Sequence, residues 1–170
     1  RAGLAPEFID EMEALGFKHV ELEGVGEENL RAVFDARDDL KKRCEDLGLA
    51  IVNFCPVLPD LVHPDKARRV RALDLFPLGV AAARFLCCEM VQTISATPPL
   101  TFVGNAPYKD GPAYGQRYQV KVDPAFRWDD VWGWLTDSIG ACADEADRAG
   151  LRLCMEPRVG EIISNTDALL

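Results

Sequence analysis

Histidine is scarce: His19 and His63 are the only two in 170 residues. That leaves little room for a histidine-rich metal site within the chain. The six cysteines do not make up for it. Cys87 and Cys88 are adjacent, Cys44, Cys55, Cys142 and Cys154 are scattered through apolar segments, and no metal-ligand spacing links them. They read as small buried hydrophobes kept reduced, which predicts a cytoplasmic protein. Long apolar runs are missing as well. The longest, "LGLAIVNFCPVL" and "PLGVAAARFLCC", fall well short of the roughly 20 residues that cross a bilayer. No cationic segment followed by an apolar one opens the chain, so neither a membrane span nor an export signal is expected. No GxSxG elbow, Walker loop, GxGxxG after a strand or HExxH occurs. Serine-hydrolase, P-loop and simple dinucleotide-binding chemistry therefore lack their motifs. Basic residues are outnumbered, 19 Lys and Arg against 28 Asp and Glu, for a formal charge of -9 that repels phosphate backbones. The densest basic cluster, Lys66, Arg68, Arg69 and Arg71, has helical spacing and reads as a solvated helix face, so nucleic-acid binding is not expected.

What remains is a chain with 48% hydrophobic residues, enough for one domain with a real core. Four times an amphipathic, helix-like segment ends in glycine and an apolar run follows at once: "ALGFKHVEL" at Gly16, "DLGLAIVNF" at Gly48, "PLGVAAARFLCC" at Gly79 and "RAGLRLCME" at Gly150. Glycine suits the left-handed position that closes a helix, so each joint predicts helix, cap, strand. Leu30, Val33, Arg37, Leu40, Cys44 and Leu47 form one helical stripe, apolar except for the arginine. Val131, Leu135, Ile139, Cys142, Ala146 and Ala149 form another. A third helix starts near Asp65, and Pro77 is expected to end or kink it near Phe76.

The glycine intervals are 32, 31 and 71 residues. The first two match one unit of a (β/α)8 TIM barrel, in which about 250 residues make eight units. The third contains a long loop insertion, residues 92–127, rich in Pro, Gly and Tyr, in which "YQVKV" suggests a short hairpin strand. It follows a strand and precedes a helix, which in a barrel puts it on the catalytic face as a lid or substrate wall, a surface excursion being the plainer alternative. Alternating strands and helices call for a mostly parallel sheet covered by helices. Only four strands are expected, near residues 18–23, 49–55, 84–91 and 151–157, and four cannot close a barrel. Arg1 stands just before a helix at about Pro6 and Leu170 falls inside a new helix after "SNTD", so the expectation is a single partial TIM-barrel domain over 1–170. A small open doubly wound sheet is the alternative.

In a parallel barrel the carboxyl ends of the strands face the catalytic mouth, and side chains two apart share a face. On the last strand Arg152, Cys154 and Glu156 share one face, with Glu156 at the exit. A buried carboxylate without a partner costs several kcal/mol, so it needs a cation, a metal or a hydrogen-bond network; Arg158 is the nearby structural partner. Glu21 and Glu23 with His19, then Asn53, then Glu89 are the corresponding polar positions of the other strands. His63, in "VLPDLVHPDKARR", lies in the loop after the second strand. Glu21, Asn53, His63 and Glu89 are accordingly candidate substrate-binding residues, with solvation or capping as the plainer alternative for each. Tyr108, Tyr114 and Tyr118 are candidates for a sugar-binding wall.

These segments resemble the xylose-isomerase-like TIM barrels, the sugar phosphate isomerase and epimerase group. The resemblance is carried by "LGFKHVEL", "LGLAIVNF" and above all "ADEADRAGLRLCMEPRVGEIISNTDALL". It implies that the four units are strands two to five of eight, since the "VEL" strand is usually the second. In that family the glutamate of the Glu-Pro strand end is a divalent-metal ligand and often a catalytic acid or base. Carried over, both roles fall on Glu156. The implied cofactor is Mn²⁺ or Mg²⁺, with its remaining ligands, an aspartate, a histidine and a second glutamate on later strands, outside this segment. The implied reaction is isomerisation or epimerisation of a ketose or related polyol through an enediolate. Two alternatives stand beside it. One is a lyase or dehydratase of the same fold, for example one cleaving the C-glycosidic bond of an oxidised sugar, and the other is a noncatalytic barrel module. The expected partner is a small-molecule sugar, and a homo-oligomer is compatible with these residues. Endonuclease members of the superfamily are disfavoured by the acidic charge.

Overall fold

The computed structural model describes residues 6–109 and 115–169, the side chains of Pro6 and Glu7 excepted. The elements run α1 (Pro6–Ala14), β1 (His19–Val25), α2 (Gly26–Asp35), α3 (Arg37–Asp46), β2 (Ala50–Val57), a 3-10 turn (Pro59–Val62), α4 (Lys66–Phe85), β3 (Met90–Ile94), β4 (Thr101–Val103), β5 (Gln119–Lys121), α5 (Trp128–Arg148), β6 (Arg152–Glu156) and α6 (Thr166–Leu169). Strands β1, β2, β3 and β6 form one parallel sheet in that order. Parallel neighbours need crossovers, and α2 with α3, α4 and α5 supply them. Among the described residues no helix is long and apolar enough to cross a membrane.

Alternation along the strands sorts side chains onto two faces. Val20, Leu22, Phe54 and Val91 turn toward the helices and join Leu30, Val33, Leu40, Phe76 and Val80 in the main core. Burying side chains of this size contributes roughly 1.5–3 kcal/mol each. The other face carries Glu21, Asn53, Gln92, Cys154 and Glu156.

The same backbone device closes the helix before each of these strands. At Gly16, Gly48 and Gly150 the backbone has positive φ (84°, 66° and 71°). The following N–H reaches five residues back, Phe17 to the Met12 carbonyl, Leu49 to Cys44 and Leu151 to Ala146. This is the wrap that a left-handed residue permits. The third joint is at Cys87, not at Gly79. Cys87 has φ 62°, and the Cys88 N–H bonds to the Ala83 carbonyl at 2.9 Å, the same wrap on a residue that is not glycine.

Gly79 instead lies inside α4, which continues through Pro77 to Phe85. A Cβ at Gly79 would stand 2.6 Å from the Pro56 Cγ, so this glycine serves a close approach between helix and strand. Two expectations are corrected by this. Pro77 does not end the helix, and the strand expected over 84–91 is Met90–Ile94. The continuous stripe from Leu30 to Leu47 also divides, at Ala36, into α2 and α3. Its one polar member explains how the break is held: the Arg37 Nη1 donates to the Phe34 carbonyl at 2.7 Å, and the guanidinium lies over the Phe34 ring at 4.2 Å.

The basic stretch at the start of α4 is committed to other side chains. Arg68 pairs with Asp60, Arg71 with Glu27, and Arg69 lies over the Trp134 ring. Residues 92–94 belong to β3, and in the connection after it β4 and β5 pair antiparallel. The Phe102 and Tyr118 rings meet edge to face across that pair, 6.0 Å apart.

Candidate active site

The carboxyl ends of β1, β2 and β3 border a cavity of about 380 Å³. Glu23, Val57 and Ile94 come from the strand ends, Tyr108 from the long connection, and Arg158 and Glu161 from the segment after β6. A strand exit is where a parallel sheet can offer polar side chains to a ligand while the residues beneath stay dry.

Arg158 organises this mouth. Its Nε is 3.9 Å from the Glu156 Oε2 and 3.5 Å from the Glu161 Oε1, and its guanidinium stacks on the Tyr108 ring at 4.0 Å. Burial alone would lower the Arg158 pKa, but Glu161, Tyr108 and Glu156 outweigh it and hold the pKa above the usual arginine value. Glu161 is buried, its side chain only 1% exposed. Burial pushes its carboxyl above the usual carboxylate range, while Arg158 and the donating Ser95 hydroxyl, 3.2 Å away, work against that shift. The Tyr108 O–H donates to the Val159 carbonyl at 2.8 Å, which ties the long connection to the segment after β6.

A row of hydrogen bonds crosses the open face of the sheet. The Asn53 Nδ2 donates to Glu21 on β1 at 2.5 Å and to the Gln92 Oε1 on β3 at 2.8 Å. The Gln92 Nε2 donates onward to the Glu156 Oε2 on β6 at 3.1 Å. Asn53 is 4% exposed, and its Oδ1 is buried without a hydrogen-bond partner.

The structure therefore brings Glu21, Asn53 and Glu156 together, through a residue that sequence reasoning did not single out. The expected third strand, 84–91, stops one residue short of Gln92 and leaves it at the start of the expected loop, whereas β3 runs Met90–Ile94 and contains it. Two other candidates lie elsewhere. Glu89 precedes β3 rather than ending it, at the amino-terminal edge of the sheet, where it pairs with Arg152 at 2.8 Å. That is a correction: with the helix closing at Cys87, Glu89 falls at the end of the strand opposite the mouth. His63 works at the start of α4. Its Nδ1 accepts from the Asp65 N–H at 3.0 Å, its carbonyl accepts from Arg69, and it is not among the cavity's lining residues. Of the three tyrosines, Tyr108 lines the cavity, Tyr118 packs on Phe102, and Tyr114 lies outside the described residues. Glu161 was also missed, although a second glutamate five residues after Glu156, just past Gly160, was a visible signal.

Among the described residues no three His, Cys, Asp or Glu side chains form a group able to hold a metal ion. Glu156, its side chain 45% exposed, offers one hard oxygen donor of the kind that suits Mg²⁺ or Mn²⁺. The described residues thus supply one ligand position and not a full set.

A family model described as a xylose isomerase-like TIM barrel matches residues 9–169. No curated protein matches the chain. Among solved structures, the 3-keto-D-glucoside 4-epimerase YcjR from E. coli is 17% identical with a TM-score of 0.65, over 89% of this chain and 50% of that one. A D-psicose 3-epimerase, solved in the presence of D-fructose, is 17% identical with a TM-score of 0.64, over 95% and 50%. The IOLI protein with a bound zinc atom is 13% identical with a TM-score of 0.59, over 91% and 47%. The chain spans about half the length of these structures, and the likeness identifies its parallel sheet as part of a TIM barrel.

Proposed function

The chain belongs to the xylose isomerase-like TIM barrel family, and on that premise we propose that it forms part of the active site of a divalent-metal-dependent sugar epimerase or isomerase acting on a free ketose. The observation that carries this reading is the mouth itself: Arg158 and Glu161 line a cavity of about 380 Å³ at the strand exits, and Arg158 also pairs with Glu156, which stands at the exit of β6 outside that lining. A cavity of that size admits a monosaccharide. A divalent cation, with Glu156 as one ligand and its other ligands outside the described residues, would polarise a sugar carbonyl and its neighbouring hydroxyl.

The residues present here have separable tasks. Glu156 supplies an exposed carboxylate at the exit of β6. Arg158 holds the two carboxyls apart and is itself neutralised by them, which favours an uncharged sugar over a phosphorylated one. Glu161, a carboxyl whose pKa is raised by burial inside a cleft, is suited to hydrogen-bond a sugar hydroxyl or to exchange a proton with it. Tyr108 offers a ring wall to the same cavity. A lyase that cleaves a sugar–aryl carbon bond would favour a large aromatic pocket. Phe102 and Tyr118 meet edge to face in the hairpin, and among the described residues Tyr108 is the one tyrosine lining the cavity, which favours the epimerase.

The test is to incubate the full-length protein with Mn²⁺ and a panel of free ketohexoses and 3-keto-glucosides, and to resolve products by ¹³C NMR. An epimer or isomer of one of these sugars supports the proposal. An unsaturated product or a released aglycone would replace it with a lyase. No turnover together with no Mn²⁺ binding would replace it with a noncatalytic barrel.

A further inference from the structure

We propose that Gln92 is the positioning residue of Glu156, and that Asn53 and Glu21 act through Gln92 rather than by touching substrate; the proposal rests on Glu156 being a metal ligand. The register makes the arrangement possible. Asn53 lies directly across from Glu21, and Gln92 lies across from Cys154, two residues before Glu156, so its amide reaches diagonally to the strand exit.

The row has a fixed direction. Both hydrogens of the Asn53 amide are committed, to Glu21 and to the Gln92 Oε1. Turning that amide over would set its oxygen against a carboxylate oxygen and an amide oxygen, so its orientation is dictated from both sides. The Gln92 Oε1 is thereby held toward Asn53, which leaves its Nε2 facing Glu156. Glutamine alone can do both tasks here. A methionine of similar length offers neither bond, and a glutamate would accept from Asn53 but repel Glu156.

The cost of the arrangement is visible in Asn53. Its Oδ1 is buried with no partner, an unfavourable state for a polar group taken from water. A fold that only needed a filled sheet face would put an apolar side chain at this position. The amide's two donated bonds fix the next residue in the row, and through it the Glu156 carboxylate.

The experiment is a double-mutant cycle on Mn²⁺ affinity, measured by isothermal titration calorimetry on the full-length protein: wild type, Gln92→Met, Glu156→Gln and the double variant. A residue that orients a ligand alters affinity by about tenfold. Gln92→Met should weaken Mn²⁺ binding about tenfold with Glu156 present and leave it unchanged in the Glu156→Gln background. Equal losses in both backgrounds would mean that Gln92 acts on the metal directly or on the fold, and would overturn the proposal. Unchanged affinity in Gln92→Met while Glu156→Gln loses it would overturn the positioning role and leave the ligand assignment standing. Wild-type affinity in Glu156→Gln would remove the ligand assignment and the proposal with it. If Gln92→Met does not fold, Asn53→Asp tests the same chain of bonds, because an aspartate cannot donate to Gln92. It should weaken Mn²⁺ binding, and wild-type affinity would contradict the relay.

Discussion

Replacing Gly79 with alanine should destabilise the protein, although alanine is the better helix former. In an open helical position the exchange gains about 0.8–1 kcal/mol. At Gly79 the new Cβ would stand 2.6 and 2.7 Å from the Pro56 Cγ and Cβ, far inside the 3.5–4.0 Å of a favourable carbon contact. Pro56 is fully buried in β2, so its ring has little room to withdraw. Overpacking of this kind costs about 1–3 kcal/mol, and the clash is severe enough to reach the upper end, which leaves a net loss of about 1–2 kcal/mol. The assay is urea denaturation of the full-length protein. Gly133 and Gly140 of α5 have nothing within 4 Å of a built Cβ, so alanine at either should raise the midpoint in the same assay. Adding Pro56→Ala to Gly79→Ala should recover part of the loss. A midpoint that rises in Gly79→Ala, as it does for Gly133→Ala, would refute the close helix–strand contact.

Arg158→Met should cost about 2 kcal/mol at pH 7. That is less than the 3–5 kcal/mol of a fully buried pair because Arg158 keeps 19% of its surface, and the loss arises from leaving the Glu161 carboxyl without its cation. Burial raises the Glu161 pKa in the folded state, so its contribution to stability is complete below the unfolded value and is lost as pH rises through the folded one; Arg158→Met should steepen that loss in urea melts run at pH 5 and pH 7. Lys42→Ala, which breaks an exposed pair with Asp46, should leave the midpoint unchanged in the same melts. Native alkylation with iodoacetamide at pH 8, mapped by mass spectrometry, should label Cys87 ahead of Cys55, Cys88 and Cys142, because all six cysteines are free and burial raises these three thiols, Cys88 and Cys142 to about 12. The protonated thiols support stability below their unfolded value near 9.0, and that support declines as pH rises toward about 12.

The parts of the fold legible in the sequence were those fixed by local chemistry. Glycine at a left-handed cap announced three of the four joints, and the stripe from Val131 to Ala146 marked α5, because each signal is set by neighbours a few residues away. The third joint was hidden because Cys87 takes the left-handed conformation without being glycine, while Gly79 is glycine for a tertiary reason, the approach of Pro56. That one substitution of signals shifted β3 and with it Glu89 and Gln92. Glu156 was legible because a carboxylate closing an apolar strand needs a reason. The row from Glu21 to Glu156 was not, since its bonds depend on the relative register of four strands. Arg158 and Glu161 fall between: both stand in the quoted "MEPRVGE", but their pairing depends on the turn after β6 and on the Ser95 hydroxyl just past the end of β3.

The most direct test of a carboxylate-lined, enolising sugar site is deuterium exchange. The full-length protein with Mn²⁺ should wash deuterium from D₂O into the carbon next to the carbonyl of the ketose proposed as its substrate, read as loss of that proton signal in ¹H NMR. Glu156→Gln should slow the exchange by at least about a hundredfold, in the range of a lost acid–base contribution. Exchange at the wild-type rate in Glu156→Gln would contradict the assignment of Glu156 to the reacting centre.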